Sequence, residues 1–202
     1  NSRNVIRTIA RTWLRRLRSV VNEGTVRANA NRQQHLMTRA FIGVGSNLEN
    51  PLLQVRRALG ELAALPASQL VASSSLYRSP PMGPADQPHY VNAVVELATE
   101  LAAVSLLDEL QAIEHQHRRI RTEHWGPRTL DLDILLYGNA SVRTPRLQIP
   151  HPGMGQRNFV LYPLAEIAPR LSIPGVASLQ SLLDQCARKG LERLDDSALC
   201  AV

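Results

Sequence analysis

The chain has 202 residues, 44% hydrophobic, 20% charged and only 4% aromatic; that is enough apolar material for one ordinary core, too little length for two large domains, and not a disordered composition. No stretch approaches the roughly 18 uninterrupted apolar residues of a membrane span, and the two cysteines, Cys186 and Cys200, lack the number and spacing of a disulfide framework or a thiolate metal site, so a reducing, cytoplasmic setting is expected. The net charge of +6 is unevenly held: residues 1–39 carry nine arginines against Glu23, for +8, which leaves −2 for residues 40–202 with their 14 bases and 16 acids.

In chain order, Ile6, Ile9, Trp13, Leu14, Leu17, Val20 and Val21 recur at helical spacing with arginines between them, which predicts a basic amphipathic helix. Three readings compete for residues 1–36: an arm that touches membrane or nucleic acid, a transit peptide, and upstream sequence outside the working protein. The last is favoured, because the chain opens on Asn1 and Met37 stands just before the first clear strand. The expected organisation is a dispensable extension over 1–36 and a compact domain over 37–202.

Ala40 to Gly45 is a short apolar run that predicts a strand. Turn residues follow, with Asn50 suited to an N-cap and Pro51 to the first helical position, and Leu52, Val55, Leu59, Leu62 and Leu65 mark a helix that Pro66 ends. Gln69 to Tyr77 reads as a second strand and Tyr90 to Leu97 as a third, joined through the irregular Ser79-Pro80-Pro81-Met82-Gly83-Pro84. Val104 to His117 predicts a helix, Thr122 to Arg128 a loop, and Thr129 to Tyr137 an alternating fourth strand. The order βαββαβ predicts an α+β, ferredoxin-like antiparallel sheet with both helices on one face. Prolines 145, 150, 152, 163, 169 and 174 then punctuate short runs, which suggests an edge hairpin and short helices in a C-terminal extension, one of them near Leu179 to Lys189.

The sharpest local feature is Arg128-Thr129-Leu130-Asp131-Leu132-Asp133-Ile134. Alternation buries Leu130, Leu132 and Ile134 and sets Asp131 beside Asp133 on the other face, about 7 Å apart. Two like charges there repel unless a cation lies between them, and Mg²⁺ takes one or two carboxylates while leaving positions for phosphates. A solvated strand face is the bland alternative. Arg119, Arg121, Arg128, Arg146 and His151 lie around the pair, and carboxylates with several cations are the composition of a metal-nucleotide site. Lys189 is the only lysine, which excludes a Walker A loop, so arginine, histidine, metal or backbone must hold any phosphate. Tyr90, Asn92, Trp125 and Phe159 form a second constellation suited to a flat heteroaromatic ligand, gripped by ring stacking and by an amide edge, although Tyr90 and Phe159 could equally be core.

Together these segments resemble the 6-hydroxymethyl-7,8-dihydropterin pyrophosphokinase family. The likeness runs from about Thr38 to Asp184 through Gly45-Ser46-Asn47-Leu48, Tyr77-Arg78-Ser79-Pro80-Pro81, Gln87-Pro88 with Tyr90-Val91-Asn92, the long run Trp125 to Asp133, and Pro150-His151-Pro152. The resemblance implies transfer of the β,γ-diphosphoryl group of ATP to the dihydropterin, with two Mg²⁺ ions. It implies that Asp131 and Asp133 bind metal and act catalytically with Arg121 and Arg128. Gln111, Glu114, Arg119, Arg121, Arg128, Ile134, Arg146 and His151 are expected on the ATP side. Ser79, Pro80, Met82, Tyr90, Asn92, Trp125 and Phe159 are expected around the pterin. Residues 119 to 125 resemble the family's mobile loop. His124 and Arg118 depart from its usual pattern there. The implied partners are the two small substrates alone, with no obligatory protein, no nucleic acid on the folded domain, no membrane, and action as a monomer. A nucleic-acid-binding protein is the rival, motivated by the basic arm and the ferredoxin-like order, but no strand carries the aromatic-rich pattern of RNA-recognition modules.

Overall fold

A computed structural model describes residues 37–84, 86–118, 126–175 and 178–194. The chain divides after Met37, and the architecture below belongs to the unit that begins at Thr38.

One antiparallel sheet organises the unit. Its middle is β1 (Thr38–Ser46) against β4 (Tyr90–Thr99), in unbroken register from Thr38 opposite Thr99 to Ser46 opposite Val91. β5 (Asp131–Tyr137) pairs with the free side of β1, while β2 (Ser68–Ser73) and β3 (Tyr77–Ser79) both pair with β4. The short β8 (Glu192–Arg193) extends the sheet beyond β3, and β6 (Val142–Arg143) with β7 (Gln148–Ile149) forms a separate hairpin. The expected ferredoxin-like order is therefore present, with one change. The predicted strand Gln69 to Tyr77 is two strands, because residues 74–76 are opposed by only Ala93 and Val94 on β4. That is one extra residue, a bulge, and a one-residue shift exchanges faces. It turns Tyr77 and Ser79 to the face that carries Tyr90 and Asn92.

The first helix, α1 (Pro51–Ala63), begins as the sequence predicts. Asn50 adopts a left-handed conformation (φ 61°), its side chain accepts a hydrogen bond from the Leu53 amide, and Pro51 takes the first turn. α2 (Ala103–Gln116) matches the predicted second helix and ends on His117. Both helices lie on one face, where Val55, Ala58, Leu62, Leu106, Leu110 and Ile113 meet Ala40, Ile42, Val44, Ala93, Val95, Leu132 and Ile134 in the first core.

The opposite face has its own cover. α3 (Asn158–Ile167) and α4 (Leu179–Gln185) pack Val160, Leu161, Leu164 and Leu179 against Phe41, Val94 and Leu135. The C-terminal part thus carries the short helices its sequence predicts, one of them near Leu179, but Pro163 stands inside α3 rather than punctuating its end. An interior proline costs about 3 kcal/mol. Burying each large apolar side chain returns about 1.5–3 kcal/mol, so three of them outweigh the proline. Among the described residues no helix is long and apolar enough to cross a membrane. The two C-terminal helices cover only part of their face, and at the end where β1 and β4 meet β3 and the start of β5 the sheet is open.

Candidate active site

The floor of that open end is set by register. Gly45 of β1 lies opposite Asn92 on one neighbour and Asp131 on the other, and Gly43 lies opposite Val94 and Asp133. Adjacent strands stand about 4.8 Å apart, so Asn92 and Asp131 face the same side across a glycine, roughly two strand spacings from one another. A β-carbon on Gly45 would come within 3.3 Å of Asn92 Oδ1 and 4.0 Å of a Tyr90 ring carbon. Gly45 leaves a trough between an amide and a carboxylate, and beside it the space over Gly43 is met by the Leu135 side chain at 3.4 Å.

Over this floor lies a cavity of about 310 Å³ whose lining includes Gly43, Gly45, Ser79, Pro80, Met82, Tyr90, Asn92, Arg128, Asp131, Asp133, His151, Arg157 and Phe159. Its two ends differ in chemistry. At one, Tyr90 and Phe159 supply rings and Asn92 is held in a fixed sense: its Nδ2 donates to Ser79 Oγ at 3.0 Å and to the Tyr77 carbonyl at 3.5 Å. With both donor directions spent inside the protein, Asn92 offers its carbonyl oxygen to a ligand, an acceptor suited to an amino or ring N–H edge. The proline-rich loop lines this end through Pro80 and Met82, both exposed, and behind it Gly190, at φ 73°, is close enough that a β-carbon would meet the Pro80 ring at 3.2 Å.

At the other end are charges. The Arg128 guanidinium touches the Asp131 carboxylate, and although burial opposes its charge, Asp131 and Asp133 hold its pKa above the ordinary value. His151 Nε2 lies 3.8 Å from Asp133 Oδ2, while its Nδ1 accepts from the Gly153 amide at 3.1 Å. That leaves the proton on Nε2. Burial, aided by the nearby charge of Arg157 and opposed by Asp131, lowers the His151 pKa to about 4, so it is a neutral donor at physiological pH. Arg157, the residue before α3, reaches to 4.0 Å from Asp133 and lies flat over Gly153, where a β-carbon would meet its guanidinium at 2.9 Å.

Ten of the expected residues therefore line one cavity: Ser79, Pro80, Met82, Tyr90, Asn92, Arg128, Asp131, Asp133, His151 and Phe159. Four do not. Ile134 is in the first core, and Arg146 is exposed and paired with Asp108 at 2.7 Å. Gln111 is half-buried on α2, and Glu114 is buried at 3% exposure with its Oε1 accepting from the Leu132 amide at 2.8 Å, between the two aspartates. Arg119, Arg121 and Trp125 lie outside the described residues. Arg157 and the paired glycines were missed. Two glycines alternating in a strand signal a close approach, whereas Arg157 has no local signature.

Asp131 and Asp133 fit a magnesium ion by their chemistry: two carboxylates on one strand face, both bordering the cavity and bracketed by Arg128, His151 and Arg157 rather than by further acids.

Comparison with known proteins gives the chain its relatives. The family model described as 7,8-dihydro-6-hydroxymethylpterin-pyrophosphokinase matches residues 41–169. A 2-amino-4-hydroxy-6-hydroxymethyldihydropteridine pyrophosphokinase of Pseudomonas aeruginosa is 51% identical over 159 residues, which cover 79% of this chain and 98% of that protein. The protein of the same name from Haemophilus influenzae is 48% identical over 79% of this chain and 99% of its own length. Among solved structures, a Plasmodium falciparum HPPK-DHPS with pteroate superposes with a TM-score of 0.62 at 12% identity, over 78% of this chain, which spans 46% of that longer one. At that identity the likeness shows the fold.

Proposed function

The chain belongs to the 7,8-dihydro-6-hydroxymethylpterin-pyrophosphokinase family, and from that premise we propose how its residues divide the work. The enzyme transfers the diphosphoryl group of ATP to the hydroxymethyl of 6-hydroxymethyl-7,8-dihydropterin in folate biosynthesis, using ATP with Mg²⁺. The hydroxymethyl oxygen bonds to the β-phosphorus, the bond from that phosphorus to the oxygen bridging to the α-phosphate breaks, AMP leaves with the electron pair, and the hydroxyl proton is released. Such a transfer needs little covalent help from the protein; positioning and neutralisation of charge supply most of the rate.

The observation that carries the assignment of roles is the row Asn92, Gly45, Asp131 across three strands. The pterin lies between Tyr90 and Phe159, with an N–H edge on the Asn92 carbonyl oxygen and its hydroxymethyl directed along the glycine floor toward the aspartates. Asp131 and Asp133 would hold two Mg²⁺ ions, which when bound neutralise and align the triphosphate. Arg128 gives its guanidinium to phosphate oxygens in exchange for its contact with Asp131. His151 adds an uncharged Nε2–H donor and Arg157 a further cation. Pro80, Met82 and Phe159 exclude water from the pterin end, which matters because water competes as acceptor. Roles for Gln111, Glu114, Arg119, Arg121, Ile134 and Arg146 on the nucleotide side, and for Trp125 on the pterin, rest on the family resemblance. Action as a monomer is carried over from the family resemblance, and the cysteine usage supports a cytoplasmic setting.

The test incubates the full chain with ATP, Mg²⁺ and 6-hydroxymethyl-7,8-dihydropterin and resolves the nucleotides. AMP formed only when the pterin is present is the expected result. ADP, or AMP without pterin, would refute the division of roles.

A further inference from the structure

Asn47 follows β1 and is 1% exposed, yet it does not line the cavity. Its polar groups reach into two separate segments. On one side its amide N–H donates to the Arg128 carbonyl at 3.0 Å while its Oδ1 accepts from the Arg128 amide at 2.7 Å. This two-point clamp has the form of a β-bridge with a side chain in place of one backbone oxygen. On the other side its Nδ2 donates to the Pro88 carbonyl at 3.3 Å and to Gln87 Oε1 at 3.4 Å. Arg128 holds Asp131, and Pro88 stands two residues before Tyr90, so one buried amide ties the charged end of the cavity to its aromatic end.

We propose that Asn47 is a positioning residue that fixes Arg128 and the Gln87–Pro88 segment relative to each other, and so sets the distance between the pterin and the phosphates. The proposal rests on the reading of the site given above. Only an asparagine of this length presents an acceptor to one segment and donors to the other. Aspartate keeps the acceptor and loses the donors, and alanine loses both.

The experiment compares the full chain with Asn47→Ala, Asn47→Asp, Gln87→Ala, Arg128→Ala and the double variant Asn47→Ala with Arg128→Ala, reading AMP formation, the KM of each substrate, kcat and the melting temperature. Turnover by the unaltered chain establishes the parent reading independently; if it makes no pterin-dependent AMP, that reading fails first. Asn47→Ala is expected to lower kcat by about tenfold or more, the scale set by a small misplacement of reacting groups. In the double variant the loss is expected to fall short of the product of the single losses by about fivefold or more, as for residues acting through one another. Asn47→Asp and Gln87→Ala are expected to raise the pterin KM while the ATP KM stays within about twofold, because only the donor arm is cut. Multiplicative losses in the double variant, or wild-type kinetics in Asn47→Ala, would overturn the proposal. Should Asn47→Ala not fold, Asn47→Asp and Gln87→Ala decide it: equal rises in both KM values, or none, overturn it.

Discussion

Gly45→Ala separates what the floor of the site does for folding from what it does for the pterin. Gly45 is in the central strand, so an added methyl group removes backbone freedom from the unfolded chain and is worth about 0.5–1 kcal/mol in favour of folding. Against this, the new β-carbon lies 3.3 Å from Asn92 Oδ1 and 4.0 Å from the Tyr90 ring, with no other heavy atom within 4 Å outside its own chain neighbours. The first contact is tight, and the amide must yield by a few tenths of an ångström. The melting temperature should therefore move by only a few degrees. The ligand feels more, because the Asn92 oxygen is the acceptor offered to it and its other bonds, to Ser79 and Tyr77, resist the shift. Weakening one well-made hydrogen bond costs about 0.5–1.5 kcal/mol, and the methyl also occupies space along the trough; together they predict a pterin KM raised roughly tenfold, since about 1.4 kcal/mol is one decade. Asp131 is beyond 4 Å from the new carbon, so the ATP KM should change by less than about twofold. Steady-state kinetics with each substrate varied in turn, alongside thermal melting, give the answer. An unchanged pterin KM, or an ATP KM that rises as much, would refute the geometry argued for the floor.

Asp131→Ala and Asp133→Ala should each cut AMP formation by about a hundredfold or more with melting largely retained, the scale of losing an electrostatic clamp; turnover near the wild-type rate in either would remove the metal role. Glu166 on α3 is part-exposed and accepts from the Ser75 amide and hydroxyl and from the Tyr77 hydroxyl, 2.7–3.1 Å away. Burial pushes its pKa up, but these bonds and the charge of Arg193 outweigh burial and hold it below the usual 4.5. A depressed carboxylate pKa contributes stability that is present above the unfolded-state value and lost as pH falls through the folded one. Glu166→Gln should therefore melt below wild type at pH 7, with the gap closing as pH drops below 4.5; a gap independent of pH would contradict the ionised role. A chain that begins at Met37 should keep its kcat and both KM values, as measured by AMP release, since the family match starts at residue 41; loss of activity would show that the basic segment belongs to the working enzyme.

How much of this was legible in the sequence depends on the range of the interaction that decides each feature. Asn50 with Pro51 marks the start of α1 because a cap is settled within four residues, and the alternation of Leu130 to Ile134 fixes the two faces of β5 because period two is a property of the strand alone. The break between β2 and β3 is different. It is written in how many residues of β4 oppose residues 74–76, a count that exists only once the strands pair. α3 eluded the local reading for a related reason: Pro163 argues against a helix, and the apolar face that overrides it is supplied by Phe41, Val94 and Leu135 from distant positions in the chain. The site divides along the same line. Its carboxylates and rings announce their chemistry by residue type, whereas Gly45 and Asn47 matter for what stands beside them across the sheet. A glycine between an amide and a carboxylate, and an asparagine between two loops, carry no reactive group. They determine how far apart the reactive groups are held, and for a transfer whose rate comes from alignment that separation is itself part of the catalytic apparatus.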